Sequence, residues 1–78
     1  MPTILRIGST RFLFFSNEGS EPPHVNIEQG DALAKFWLEP VALASSSRFS
    51  GRELRRLEEH VITHRMRFLE AWRDYFRA

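Results

Sequence analysis

Residues Ser50 to Phe76 read SGRELRRLEEHVITHRMRFLEAWRDYF, and this stretch decides the fold. Ser50 stands where an N-cap belongs, and Glu53 follows three residues later. That spacing is a capping box, in which each side chain satisfies a backbone N–H of the other residue. Phe49 and Leu54 flank the box at the spacing of a hydrophobic staple. Leu54, Leu57, Val61, Phe68, Trp72 and Tyr75 then recur at steps of three and four, with Leu69 and Phe76 widening the stripe. Apolar residues at those steps lie on one face of a helix. No Pro or Gly interrupts the run after Gly51. The spacing therefore predicts one long C-terminal helix, reaching on the order of 40 Å at 1.5 Å per residue. Such a helix outreaches a small sheet, so its last turns are expected to overhang and meet a partner.

Upstream the period changes from that of a helix to that of strands. Thr3 to Ile7 and Arg11 to Ser16 are apolar, β-branched or aromatic runs either side of Gly8-Ser9-Thr10, which reads as a hairpin. A two-residue turn at Gly8-Ser9 would set Arg6 opposite Arg11, a like-charge pair that costs stability; a three-residue loop avoids it. The second strand is apolar on both faces, as a covered strand is. Asn17 to Pro23 is a turn-rich connection. His24 to Glu28 then alternates, with Val25 and Ile27 on one face and His24, Asn26 and Glu28 on the other. Gly30-Asp31 suits a two-residue type II′ turn. That turn sets Ile27 opposite Ala34, Val25 opposite Phe36, Asn26 opposite Lys35 and His24 opposite Trp37. Pro40 ends or kinks the fourth strand, and Val41 to Ala44 either continues it or starts a helical turn. The reading is an α+β fold: a small antiparallel sheet of two hairpins packed against one long C-terminal helix, with residues 1–78 as a single domain.

Composition narrows the function classes. The chain has 78 residues, no cysteine and a formal net charge of +1. Disulfides and thiolate metal sites are thereby excluded, and net charge alone makes no case for nucleic acid. From Phe49 onward seven Arg face five acids, while before it four basic residues face five acids. No run approaches the roughly 18 apolar residues of a membrane span. The first residues lack the charged and apolar regions of a signal peptide, so the expectation is a cytoplasmic chain with no membrane role.

Three groups of residues are candidates for chemistry. The polar face of the second hairpin carries His24, Asn26, Glu28, Lys35 and Trp37. A histidine moves protons near neutral pH, a lysine neutralises phosphate and a tryptophan stacks a base. That set would suit RNA binding or metal-independent RNA cleavage, with His24 as the catalytic group; the same residues also describe a solvated sheet face. On the helix, Arg65 falls within the apolar arc and Glu58 lies close to it two turns earlier, while Arg67 follows Arg65 by two residues and Tyr75 is the last of the stripe's three-and-four steps. The plain reading is that Arg65 and Glu58 find partners such as Glu28, Glu39 or Lys35, or let their stems snorkel. The alternative is that Arg65 faces a cleft or, with Tyr75, meets a partner protein; in an RNA-directed enzyme Lys35, Arg65 or Arg67 would sit on phosphate. His60 and His64 sit one helical turn apart, but His60-Val61-Ile62-Thr63-His64 lacks the glutamate of His-Glu-x-x-His, and we assign neither a metal nor any other cofactor.

Several runs combine into a recognisable pattern: Met1-Pro-Thr-Ile-Leu-Arg-Ile-Gly8, Phe12-Leu-Phe-Phe-Ser-Asn17, Glu21-Pro-Pro-His-Val25, Ala34-Lys-Phe-Trp-Leu38 and Leu69-Glu-Ala-Trp72. Together they resemble the small bacterial family called domain of unknown function 4160. The family usually continues His-Val-His-Val, whereas this chain reads His24-Val25-Asn26-Ile27, so a two-histidine mechanism would keep only His24. The resemblance implies a gene beside another of unknown function, in pairs that look like toxin–antitoxin modules. The expected function is thus a small interaction protein of such a pair, binding a partner protein encoded nearby; the alternative is an RNA-binding or RNA-cleaving toxin working through His24. Homo-oligomerisation is compatible with both.

Overall fold

A computed structural model of the chain describes residues 3–15 and 19–76. Ser16 and Asn17, at the start of the expected connection, lie outside the described residues. Five strands, β1 (Thr3–Ile7), β2 (Thr10–Leu13), β3 (His24–Gln29), β4 (Ala32–Leu38) and β5 (Val41–Ser47), form one antiparallel sheet in chain order. Helices α1 (Gly51–Thr63) and α2 (Arg65–Phe76) cover one face of it.

The β3–β4 hairpin has the register that the alternation predicts, with Val25 opposite Phe36, Ile27 opposite Ala34, Asn26 opposite Lys35 and His24 opposite Trp37. Gly30 has φ 59, the positive value that the first residue of a type II′ turn requires. In three features the structure decides an open reading or differs from the expectation. The first hairpin does use the two-residue turn, and Arg6 stands opposite Arg11. The like-charge cost is relieved because Arg11 turns to Glu28, with Nη1 3.0 Å from the carboxylate, and also donates to Thr3. Secondly, the residues after Pro40 form a fifth strand rather than a helical turn. The Glu39–Pro40 peptide is cis and makes a two-residue turn, after which Val41 pairs with Leu38.

The third difference is in the helix, which is two segments meeting at His64 (φ −105, ψ 16) rather than one. Backbone bonds still straddle the break, from His64 N–H to His60 and from Phe68 N–H to His64, both 3.0 Å. Neither Gly nor Pro stands there. The next residue is Arg65, the charge that the sequence places inside the apolar arc. It leaves the core: Nε donates to the Leu38 carbonyl at 2.6 Å and Nη2 lies 3.5 Å from Glu39. Glu58, the other charge near the stripe, is exposed.

The core sits between helix and sheet. Phe12, Val25, Ile27, Phe36 and Leu38 from the strands, with Phe14 just past β2, are sealed against Leu57, Val61, Phe68, Leu69 and Trp72. Phe12 stacks on Phe68 with ring centroids 5.4 Å apart. Both halves of the capping box form, with Glu53 N–H donating to Ser50 Oγ at 3.1 Å and Ser50 N–H donating to Glu53 at 2.8 Å. Replacing Ser50 with Ala is therefore expected to lower the stability of the whole domain by about 1 kcal/mol. A shift of the urea midpoint reads this directly, and an unshifted midpoint would count against the cap.

Candidate functional site

The residues that the sequence singles out fall into three places. The first is the end of the sheet where β3 begins. His24 is fully buried, and Asn26 is 7% exposed. The local cause is the connection before them. Pro22 and Pro23 carry the chain in extended form beside β4, and the Pro23 carbonyl accepts from Leu38 N–H at 3.0 Å. His24 Nδ1 lies 3.0 Å from the Pro22 carbonyl. A carbonyl only accepts, so Nδ1 carries the hydrogen of that bond.

Two tryptophans hold the imidazole. Trp37 meets it edge-on at 5.6 Å, and Trp72 of α2 lies 4.8 Å away. Trp72 itself contacts Phe14 at 5.3 Å and Phe76 at 4.1 Å. The sequence puts His24 on the polar face opposite Trp37, and that pairing is present. What the sequence does not give is Trp72, which reaches His24 around the end of the sheet.

Lys35 lies beside this cluster. Its Nζ is 2.5 Å from Glu21 and 4.9 Å from the centre of the Trp37 ring. The Lys35 side chain is 21% exposed and its charge is balanced by Glu21. Glu21 also lies 3.9 Å from His24 Nδ1. His24, Asn26, Lys35 and Trp37 are thus brought together, but around a buried ring and a paired cation. The missed member, Glu21, carried no signal in the sequence beyond its place before two prolines.

The second place is Arg65 at the β4–β5 turn, described above. The third gathers Arg67 and Tyr75. Arg67 Nη2 donates to the Ile4 carbonyl of β1 at 3.2 Å. Ile4 in turn lines a groove of about 400 Å³ with Phe14, Ala71, Asp74 and Tyr75. Tyr75 is 40% exposed although it closes the apolar stripe of the helix. Its ring is 6.0 Å from Phe14 and 4.8 Å from Phe76, so it stands as a wall of the groove. Sequence periodicity finds Tyr75 and misses Ile4 and Asp74, because the groove exists only where α2 passes β1.

Among the described residues no group of three or more His, Cys, Asp or Glu could hold a metal ion. None of the described helices is long and apolar enough to cross a membrane. His60 instead meets Phe12 edge-on at 6.3 Å, and His64 lies 6.1 Å from Phe68.

A family model matches residues 10–73, from β2 to the penultimate turn of α2. The chain belongs to the family described as Domain of unknown function (DUF4160). Neither a curated protein nor a solved structure matches it. The part shared with the DUF4160 family includes His24, Lys35, Trp37 and Trp72, so the buried cluster lies within the matched segment.

The geometry makes His24 a structural peg beneath Trp72. Trp72→Ala is expected to cost roughly 3–5 kcal/mol, as large-to-small changes of buried aromatics do. Chemical denaturation followed by circular dichroism tests this. A cooperative unfolding curve superimposable on that of the parent would mean that α2 does not dock through this residue.

Proposed function

We propose that this protein is an interaction module, one component of a toxin–antitoxin-like two-gene pair, and that it binds a partner protein encoded nearby. The observation that carries the reading is the groove between β1 and α2, walled by the half-exposed Tyr75 and floored by Phe14. A tyrosine in that position offers a large, rigid contact at low entropic cost, and such residues dominate binding energy at protein interfaces. Asp74 at the rim favours a basic neighbour on the apolar side chain that enters. Arg67, fixed on the Ile4 carbonyl, is the second anchor. The two-gene arrangement implied by the family resemblance supplies the source of the partner.

The alternative is a surface that binds or cleaves RNA around His24. It draws support from Lys35 and Trp37, which share one face with a cation over an aromatic ring. Against it stand the burial of His24 and the pairing of Lys35 with Glu21. A general acid or base must come within hydrogen-bond reach of its substrate.

Co-purification with the neighbouring gene product separates the two. Tyr75→Ala is expected to weaken partner capture by about 2 kcal/mol, a loss on the order of 30-fold. Lys35→Ala is expected to leave capture unchanged. If Lys35→Ala instead abolished low-salt RNA binding while Tyr75→Ala captured the partner normally, the RNA reading would replace this one. Lys35 is a cleaner probe than His24, whose removal would open a cavity under Trp72.

A further inference from the structure

The two edges of the sheet are built differently. At β1, Arg67 caps the Ile4 carbonyl, Arg6 adds a charge, and the pairing with β2 is irregular between Thr3 and Leu5. These are ordinary ways of blunting an edge strand against further pairing. At the other edge, β5 reads Val41-Ala-Leu-Ala-Ser-Ser-Ser47 with no charged residue and no proline. From Leu43 to Ser47 every residue is exposed. Its only irregularity is at Ala44, which bulges between the pairs Leu43–Phe36 and Ser45–Lys35.

Charge is placed only beyond the two ends. Glu39 precedes the strand and Arg48 follows it. Arg48 has φ 69, in the left-handed region that favours glycine, so the chain carries a long side chain where Cβ crowding disfavours any. Glu39 lies near Arg65 and Arg48 near Asp31, both at 3.5 Å in exposed pairs that remain open to a further partner. An acidic start, a neutral middle and a basic end form a self-complementary pattern. When such a strand lies antiparallel to its own copy with Ala44 at the axis, each Glu39 falls within one residue of the other copy's Arg48, and β5 itself carries no charge to repel its copy along the seam.

The helix supports the same geometry. Arg65 reaches the β4–β5 turn, whereas Arg67 reaches β1, so the Arg65 flank is the β5 side. Ile62 and Met66 lie on that flank, 57% and 61% exposed, and Leu43 on β5 is 44% exposed. A two-fold axis between paired β5 strands keeps both helices on one side of the joined sheet and turns these apolar residues toward one another.

We propose that β5 is a dimer seam, pairing antiparallel with β5 of a second copy to make one continuous ten-stranded sheet. The seam lies on the opposite edge from the Tyr75 groove, so it stands or falls independently of the partner-binding reading.

Sedimentation velocity over a micromolar concentration series tests it with three samples: the parent, Ala44→Lys and Ala44→Glu. Ala44 is exposed, and its like-charged replacement faces itself across the axis. The parent should move from monomer to dimer with concentration. Each variant alone should stay monomeric, and their equimolar mixture should regain the dimer. A parent that stays monomeric, variants that dimerise as the parent does, or a mixture that stays monomeric would each overturn the seam. If either charged variant loses its cooperative melt, single cysteines at Leu43, Ala44 and Ser45 decide, since the chain has none of its own. Opposed Cα atoms of an antiparallel pair lie within disulfide reach. At least one of the three should cross-link far faster than a Glu59→Cys control. No preference over that control would also overturn the proposal.

Discussion

The Trp72 indole is the contact on which the rest of the molecule depends. It meets Phe14 just past β2, His24 from β3 and Phe76 from its own helix, with ring centroids between 4.1 and 5.3 Å. A 78-residue chain without cysteine has little besides aromatic burial to hold it. Phe12 on Phe68 fastens the middle of the helix, and Trp72 fastens its far end. Because that end is held, the Pro22-Pro23 connection, the start of β3 and Lys35 with its Glu21 partner take fixed positions. The same fastening closes His24 off from solvent.

What remains accessible is therefore peripheral. The groove beside Tyr75 forms where α2 passes β1, and the β5 strand lies open at the opposite edge. These are the two places on which the proposed interaction role and the proposed dimer seam rest. Arg65 shows how the charges of the helix are accommodated: the break at His64 lets its guanidinium turn to the Leu38 carbonyl and Glu39 instead of entering the core.

Local chemistry made much of this legible in the sequence. The capping box at Ser50 and the β3–β4 register follow from spacing and from one turn, and both are present. The loop of the first hairpin was left open by the sequence because Glu28, which relieves the Arg6–Arg11 pairing, belongs to a different hairpin. β5 was hidden because Val-Ala-Leu-Ala-Ser-Ser-Ser lacks alternation and has only one β-branched residue, Val41, to mark it. The helix break carries no Gly or Pro; only the misplaced charge of Arg65 hinted at it. The burial of His24 was unreadable because its cover, Trp72, comes from the far end of the chain. In the candidate site, residue identities were visible, but which of them faced water was a tertiary fact.

The central claim is that α2 and the sheet form one closed unit over His24. Native-state hydrogen exchange on the intact protein tests it most directly, since amides in one cooperative unit share one opening free energy. The account expects the amides of Phe68 to Trp72 to exchange as slowly as those of β3 and β4, through global unfolding. If α2 exchanged orders of magnitude faster than β3, the helix end would be lifting from the sheet in the native state. His24 would then be reachable, and the closed site described here would be contradicted.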